Sequence, residues 1–295
     1  MSIHGWIIID KPLNITSTDV VRAIKRKFPK TKVGHAGTLD PLATGVLPIA
    51  LGEATKTIPY LSDQKKKYRF EITWGQQTTT DDAEGEPMLT SSYRPSEEEI
   101  KAILPQFTGE ISQVPPKFSA IKVEGKRAYD LARNGEDFSL PSRPIHIYAL
   151  RLIDVKSPDI AQFEVECQKG TYVRSLARDI AKTLGTYGFA SMIDRTAVGS
   201  FHKDAALSYE TLAICDEKIL KRDHVQNLIA GLDDIPAVMI DEQEVEKVRC
   251  GQELKTSLSI PGQLCLLCLH TAKNPIAIAH LEGVRILPKR VFVLN

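Results

Sequence analysis

The sequence of 295 residues is poor in tryptophan, with two, and in cysteine, with five at irregular spacing. An odd, irregular cysteine set does not form a disulfide framework and suits a reducing cytoplasm. No apolar run approaches the roughly 20 residues that a membrane-spanning helix needs, so no membrane partner is expected. The opening Met1-Ser2-Ile3-His4-Gly5 lacks a basic stretch followed by an apolar one, so export is not expected either. Neither GxxxxGK[ST] nor GxGxxG occurs, and the Ser, Cys and His residues show no nucleophile signature. No nucleotide cofactor is therefore indicated.

Net charge is scarce as well, only +1 overall, but it is unevenly spread. Residues 1–80 carry twelve Lys/Arg against six Asp/Glu. Arg22, Lys25, Arg26, Lys27, Lys30 and Lys32 form one cluster, and Lys65, Lys66, Lys67 and Arg69 another. A local basic face attracts a phosphate backbone whatever the charge elsewhere. A solvated helix face is the plainer reading, so the clusters permit RNA binding without establishing it. The pair Cys265 and Cys268, with His270 and His280 nearby, invites a zinc reading. It lies inside the apolar run Leu264–Leu269, which reads as a strand, where positions three apart face opposite sides. Two buried core cysteines are expected instead, and no metal.

Trp6-Ile7-Ile8-Ile9 reads as a strand, and Thr16 with Asp19 as a capping box opening a helix with Val20, Val21, Ile24 and Phe28 inward. Residues 32–56 hold four glycines and two prolines with little helical period. They read as a structured loop running into a buried segment, Val46 to Leu51. Tyr68, Phe70, Ile72 and Trp74 alternate with Arg69, Glu71 and Thr73, the period of a strand. Ser96 caps a helix whose first turn is acidic. Residues 113–144 interleave basic side chains with Phe118, Tyr129 and Phe138 among four prolines, as suits an arm gripping folded RNA or a plain surface insertion. Strands are expected over Ile145 to Val155 and around Phe163, Val165 and Cys167. A helix follows Gly170-Thr171, with Val173, Leu176, Ile180 and Leu184 on its stripe. Beyond Pro236 the runs Ser257 to Ile260, Leu264 to Leu269, Ile276 to Ala279 and Arg290 to Leu294 suggest a small β module.

Gly34-His35-Ala36-Gly37-Thr38-Leu39-Asp40-Pro41 places a carboxylate on a glycine-flanked loop, and Pro41 biases Asp40 toward extended backbone. Taken alone, a turn-forming Asp-Pro is the favoured explanation. The longer run GHAGTLDPLATGVLPIALGEATK, however, resembles the signature of the bacterial tRNA pseudouridine-55 synthase family, TruB. KKKYRFEITWG, TTTDDAEG, VPPKFSAIKVEGKRAYDLARNGE, RPI and KGTYVRSLARDIAKTLG resemble the family's later blocks, in the family's order. The resemblance is strong over residues 3 to about 200 and weak beyond.

The resemblance implies an α/β (α+β) pseudouridine synthase fold, with a mainly antiparallel mixed sheet flanked by helices. It implies a catalytic domain over 1–235 with an RNA-gripping insertion at about 113–144, and a PUA-like RNA-binding module over 236–295. Asp40 would be the catalytic aspartate. Tyr68 would stack on the target base, and Arg174 would pair with Asp40 and line the pocket with Tyr172. His35 would help hold the T-loop around the extruded uridine, and Ile193 would wall the pocket. Lys56 and the basic helix at 22–32 would contact phosphates. Where the family pattern resembles Leu-Arg-Arg, this chain has Ile193-Asp194-Arg195, which removes one cation. The reaction is redox-neutral, so neither cofactor nor metal is expected. The expected partner is the T-arm of tRNA, met by a cytoplasmic monomer without guide RNA. The rivals are a guide-dependent synthase, which the spacing and the absence of long basic tails disfavour, and a tRNA-binding chaperone, a role that catalysis would not exclude. A glycoside hydrolase is more distant, since no second carboxylate has an identifiable context.

Overall fold

The computed structural model describes residues 3–256, 263–269 and 275–294. Strand β1 (Gly5–Lys11) alternates sides residue by residue, sending Ile7 and Ile9 to one core and Trp6 and Ile8 to another. Burial on both faces explains its unbroken apolar run. Helix α1 (Ser17–Lys27) follows, opened by the Thr16–Asp19 capping box and packed through Val20 and Ile24. Strands β2 (Val33–His35) and β3 (Ala43–Leu51) flank the loop that carries Asp40. The segment read as loop thus contains a short strand antiparallel to β3.

Helix α2 (Ile58–Asp63) leads to strand β4 (Lys66–Trp74), in which Phe70, Ile72 and Trp74 are buried as the alternation required. The hairpin β5 (Gln76–Thr78) and β6 (Pro87–Thr90) encloses the acidic turn Asp81–Glu86. Helix α3 (Glu97–Ile103) has the Ser96–Glu99 capping box, and strand β7 (Gly109–Gln113) follows it. Residues 114–142 hold a short hairpin, β8 (Lys122–Val123) and β9 (Lys126–Arg127), and helix α4 (Ala128–Arg133). The chain then returns through β10 (Arg143–Ser157) and β11 (Ile160–Cys167) to helix α5 (Val173–Thr183), β12 (Gly188–Val198), β13 (Phe201–His202), β14 (Leu207–Ser208) and α6 (Tyr209–Ile214).

The main sheet runs β14-β1-β3-β12-β4-β11-β10-β7, with β2 on β3 and β13 on β12. Its β1–β14 and β3–β12 pairings are parallel and its other pairings antiparallel, the mixed but mainly antiparallel sheet expected. Helices α1, α3 and α5 cover one face. On the other face Trp6, Ile8 and Val46 meet Leu228, Leu266, Ile278 and Phe292. The last three belong to a C-terminal half-barrel, ordered Ala237–Ile240, Leu264–Leu269, Pro275–Glu282, Arg285–Val291 and Leu254–Lys255. Cys265 packs into that module's own core and Cys268 into the inter-module core, so the two thiols face opposite sides of one strand. The strand expected at Ser257 to Ile260, and His270, lie outside the described residues.

Candidate active site

The loop Ala36–Leu42 is held by buried groups from three directions. Ser17 Oγ at the start of α1 donates to Leu39 O (3.0 Å) and accepts from Leu39 N (2.9 Å). Lys11, wholly buried at the end of β1, donates through Nζ to Pro12 O, Ile15 O and, at 3.3 Å, Pro41 O. Arg195, 1% exposed on β12, donates through Nε to Val46 O and through its two Nη atoms to Thr38 O and Gly37 O. Backbone carbonyls near two cations thus fix the loop while leaving its carboxylate free for a different partner.

That partner is Arg174. Its Nη2 lies 2.9 Å from Asp40 Oδ2 and its Nη1 3.3 Å from Asp82 Oδ2. The same nitrogens donate to Phe118 O and Thr80 O, both at 3.0 Å. The Arg174 side chain is only 6% exposed, whereas that of Asp40 is 45% exposed. A buried guanidinium bridging two carboxylates aims Asp40 from beneath and leaves its upper side open. The Asp40 carboxylate is therefore open to solvent on the side away from Arg174.

Tyr68 is half-buried on β4, opposite Arg195 in the β4–β12 register and packed on the main core. Burial pushes its phenol up, the Arg195 guanidinium opposes this, and the nearby Asp40 charge adds to the rise. Burial likewise pushes Lys11 down to about 8, against the pull of the Asp40 carboxylate. Glu84, an exposed carboxylate within the acidic turn, is pushed up by partial burial and by Asp82 and Asp40. Asp40, Tyr68, Arg174 and Arg195 therefore share one electrostatic neighbourhood with Lys11, Asp82 and Glu84.

The remaining sequence candidates fall at different distances from this centre. Ile193 is buried on β12, in register with Ala43 of β3 and Phe70 of β4 and so close to the end of the Asp40 loop. Tyr172 caps α5; the Arg143 guanidinium lies 5.1 Å from its ring, and Gln113 makes two side-chain hydrogen bonds to its backbone. His35 is half-buried on β2, and burial and Arg195 push its imidazole down, toward the neutral form. Its buried Nδ1 has no hydrogen-bond partner within the described residues. Lys56 is not brought to the pocket. It pairs with Glu53 at 2.6 Å and donates to Val291 O of the C-terminal module, while Glu53 also accepts from Val293 N.

Of the two basic clusters, that at 65–69 is largely consumed. Lys66 is buried under Ser62 O and Gln64 O, and Lys65 and Lys67 both pair with Glu166. The α1 cluster is different: Lys25, Arg26, Lys30 and Lys32 are exposed and have no acidic partner among the described residues.

Residues 25–173 match the N-terminal domain of TruB family pseudouridylate synthases. The tRNA pseudouridine synthase B of Bradyrhizobium diazoefficiens is 45% identical over 299 aligned residues, covering 99% of this chain and 87% of that protein. The chain belongs to the TruB family. The tRNA pseudouridine synthase B of Caulobacter vibrioides is 44% identical across 100% of this chain and 97% of its own length. Among solved structures, a chain in the crystal structure of a Cbf5–Nop10–Gar1 complex superposes with a TM-score of 0.75 at 25% identity, over 98% of this chain and 85% of that one. That superposition extends through the C-terminal half-barrel, in keeping with a PUA-like module.

For this TruB-family chain, sequence reasoning missed Lys11, Asp82 and the scaffold role of Arg195. Lys11 lies two residues past the apolar run Trp6–Ile9, and Asp82 lies in the block TTTDDAEG. Nothing in their spacing says that a lysine 30 residues away would reach the Asp40 loop, or that the acidic turn would close onto α5.

Proposed function

We propose that this chain converts the uridine at position 55, in the T-loop of tRNA, to pseudouridine, acting as a monomer without guide RNA. The observation that carries this reading is the open Asp40 carboxylate held at 2.9 Å by a buried Arg174 beside Tyr68. The reaction breaks the C1′–N1 bond, turns the uracil, and joins C5 to C1′; C5 loses its proton and N1 gains one. Nothing is oxidised or reduced, so one well-aimed carboxylate meets the chemical demand. Attack at C1′, attack at C6 and base-driven glycal formation all require Asp40 ionised and within reach of the flipped nucleoside.

Flipping the base out of its stack costs about a few kcal/mol, and stacking on an aromatic ring returns roughly 1–3 kcal/mol. Tyr68, partly exposed above the core, serves as that platform. His35, with a free buried nitrogen, and Tyr172, under the Arg143 guanidinium, hold the loop around the flipped nucleotide. The insertion at about 113–144 grips the T-arm, and the PUA-like module over 236–295 adds RNA contacts. Incubating unmodified tRNA transcript with the protein alone, then mapping carbodiimide-dependent primer-extension stops, tests the reading. A stop at position 55 is expected. Product at another position, or none with bound RNA, contradicts it.

A further inference from the structure

Helix α5 turns a second arginine toward the acidic turn. Arg178 lies one turn after Arg174, on the same helix face, and its side chain is 10% exposed. Its Nη1 meets Asp81 Oδ2 at 2.8 Å, its Nη2 donates to Val114 O at 2.8 Å, and its Nε meets Asp179 Oδ1 at 2.8 Å. Asp81 and Asp82 are chain neighbours, yet both face α5, each taking a different arginine. Consecutive residues of an extended chain face opposite ways. Asp81 resolves this by adopting φ +59°, the left-handed region that L side chains rarely enter and that Asp tolerates better than most. Gln77 Nε2 donates to the other Asp81 oxygen, so the strained carboxylate is held on both sides. Burial pushes Asp81 up, against the pull of Arg178.

The two arginines form one bracket. Each spans from the acidic turn to the first residues of the arm: Arg174 from Thr80 and Asp82 to Phe118, Arg178 from Asp81 to Val114. Ser175 Oγ, between them on the helix, donates to the same Val114 carbonyl at 2.8 Å. Only Arg174 continues to Asp40. Among the described residues Arg178 bonds to Asp81, Asp179 and Val114 O, and not to Asp40.

We propose that Arg178 and Asp81 are a positioning pair for the reaction at Asp40: they set the height of the acidic turn and of the arm's root against α5, and so the aim of Arg174. The inference rests on the proposed isomerisation, and the wild-type protein reports on that reading separately. If wild type makes no pseudouridine, it is the function that fails.

The test uses the full chain and tRNA transcript carrying tritium at uridine C5, from which product formation releases the label. Wild type, Arg178→Met, Arg178→Lys, Asp81→Asn and Arg174→Met are compared with the double variant Arg174→Met/Arg178→Met. Displacing a group by about 1 Å costs on the order of 100-fold in rate, so Arg178→Met is expected to lose tenfold or more in the single-turnover rate at saturating tRNA. Its tRNA Kd stays at the wild-type value, and Arg178→Lys recovers part of the rate. On the Arg174→Met background the same substitution is expected to change the rate little, since the group it acts through is gone. Where Arg178→Met fails to fold, Asp81→Asn, which keeps the side-chain shape and the tolerated backbone, carries the comparison. A wild-type rate in Arg178→Met or Asp81→Asn overturns the proposal. So does a loss confined to Kd, or a loss of equal size in both backgrounds.

Discussion

Lys11 reaches Pro41 from below the Asp40 loop, and its burial sets a measurable pH dependence. A lysine held at about 8 when folded, against 10.5 when unfolded, binds fewer protons in the native state between those values. Stability attributable to Lys11 is therefore lowest below pH 8 and rises as pH climbs toward 10.5, because unfolding then has to take up a proton. Wild-type protein should gain thermal stability relative to Lys11→Met as pH goes from 7.5 to 10. Lys66, also held at about 8, is common to both proteins and cancels in the difference. A Tm difference that does not change with pH contradicts the placement of the buried ammonium. Asp40 was legible as a residue because its loop matched a long motif. Lys11 was not, because a buried lysine is visible only once β1 and the loop have closed on it.

Among the elements, α1 and β3 position the loop most directly. Ser17 Oγ both donates to and accepts from the backbone of Leu39 in a buried setting, tying the first turn of α1 to the residue before Asp40. Ser17→Ala strands a buried N–H and a buried C=O, and should destabilise by about 1–3 kcal/mol in denaturant unfolding. It should also lower activity at temperatures where the fold survives, since the loop loses its anchor. β3 passes β12 so closely at Gly45, φ +102°, that a Cβ there would lie 2.2 Å from Arg195 O. Gly45→Ala should cost more than about 2 kcal/mol, read as a fall in Tm, because backbone and not a flexible side chain must yield.

The capping boxes at Thr16 and Ser96 and the alternation of β4 were readable from local chemistry. Local chemistry did not reveal that α5 would bury Arg174 and Arg178 with its apolar stripe. A helix that reads as amphipathic becomes enclosed on nearly every side when an acidic turn folds over it, and the partners in that turn lie more than 90 residues away.

At the scale of the whole molecule, the two basic clusters differ in how far their charges are already met. The triple lysine at 65–67 is spent on internal carbonyls and Glu166, and Lys56 joins the C-terminal module. Lys25, Arg26, Lys30 and Lys32 remain exposed on and just beyond the helix whose start holds the Asp40 loop. Binding of tRNA should therefore weaken steeply with salt. Lys25→Glu/Arg26→Glu should make the slope of log K against log salt shallower by about 1 for each phosphate no longer neutralised. Filter binding across a salt series reads this, and an unchanged slope removes α1 from the RNA path. Composition located the basic surplus but could not say which half was already neutralised, since Glu166 lies about a hundred residues from Lys65 and meets it only once β4 and β11 have paired.

The most direct measurement compares the wild-type protein with Asp40→Asn on unmodified tRNA transcript, scoring pseudouridine and RNA affinity in the same preparations. Asp40→Asn keeps the shape of the side chain that faces Arg174 and removes its charge. An Arg174–Asp40 pair at the centre of catalysis predicts product from wild type, none above background from Asp40→Asn, and comparable tRNA binding by both. Product formed by Asp40→Asn at a rate near that of wild type contradicts the assignment of Asp40 outright.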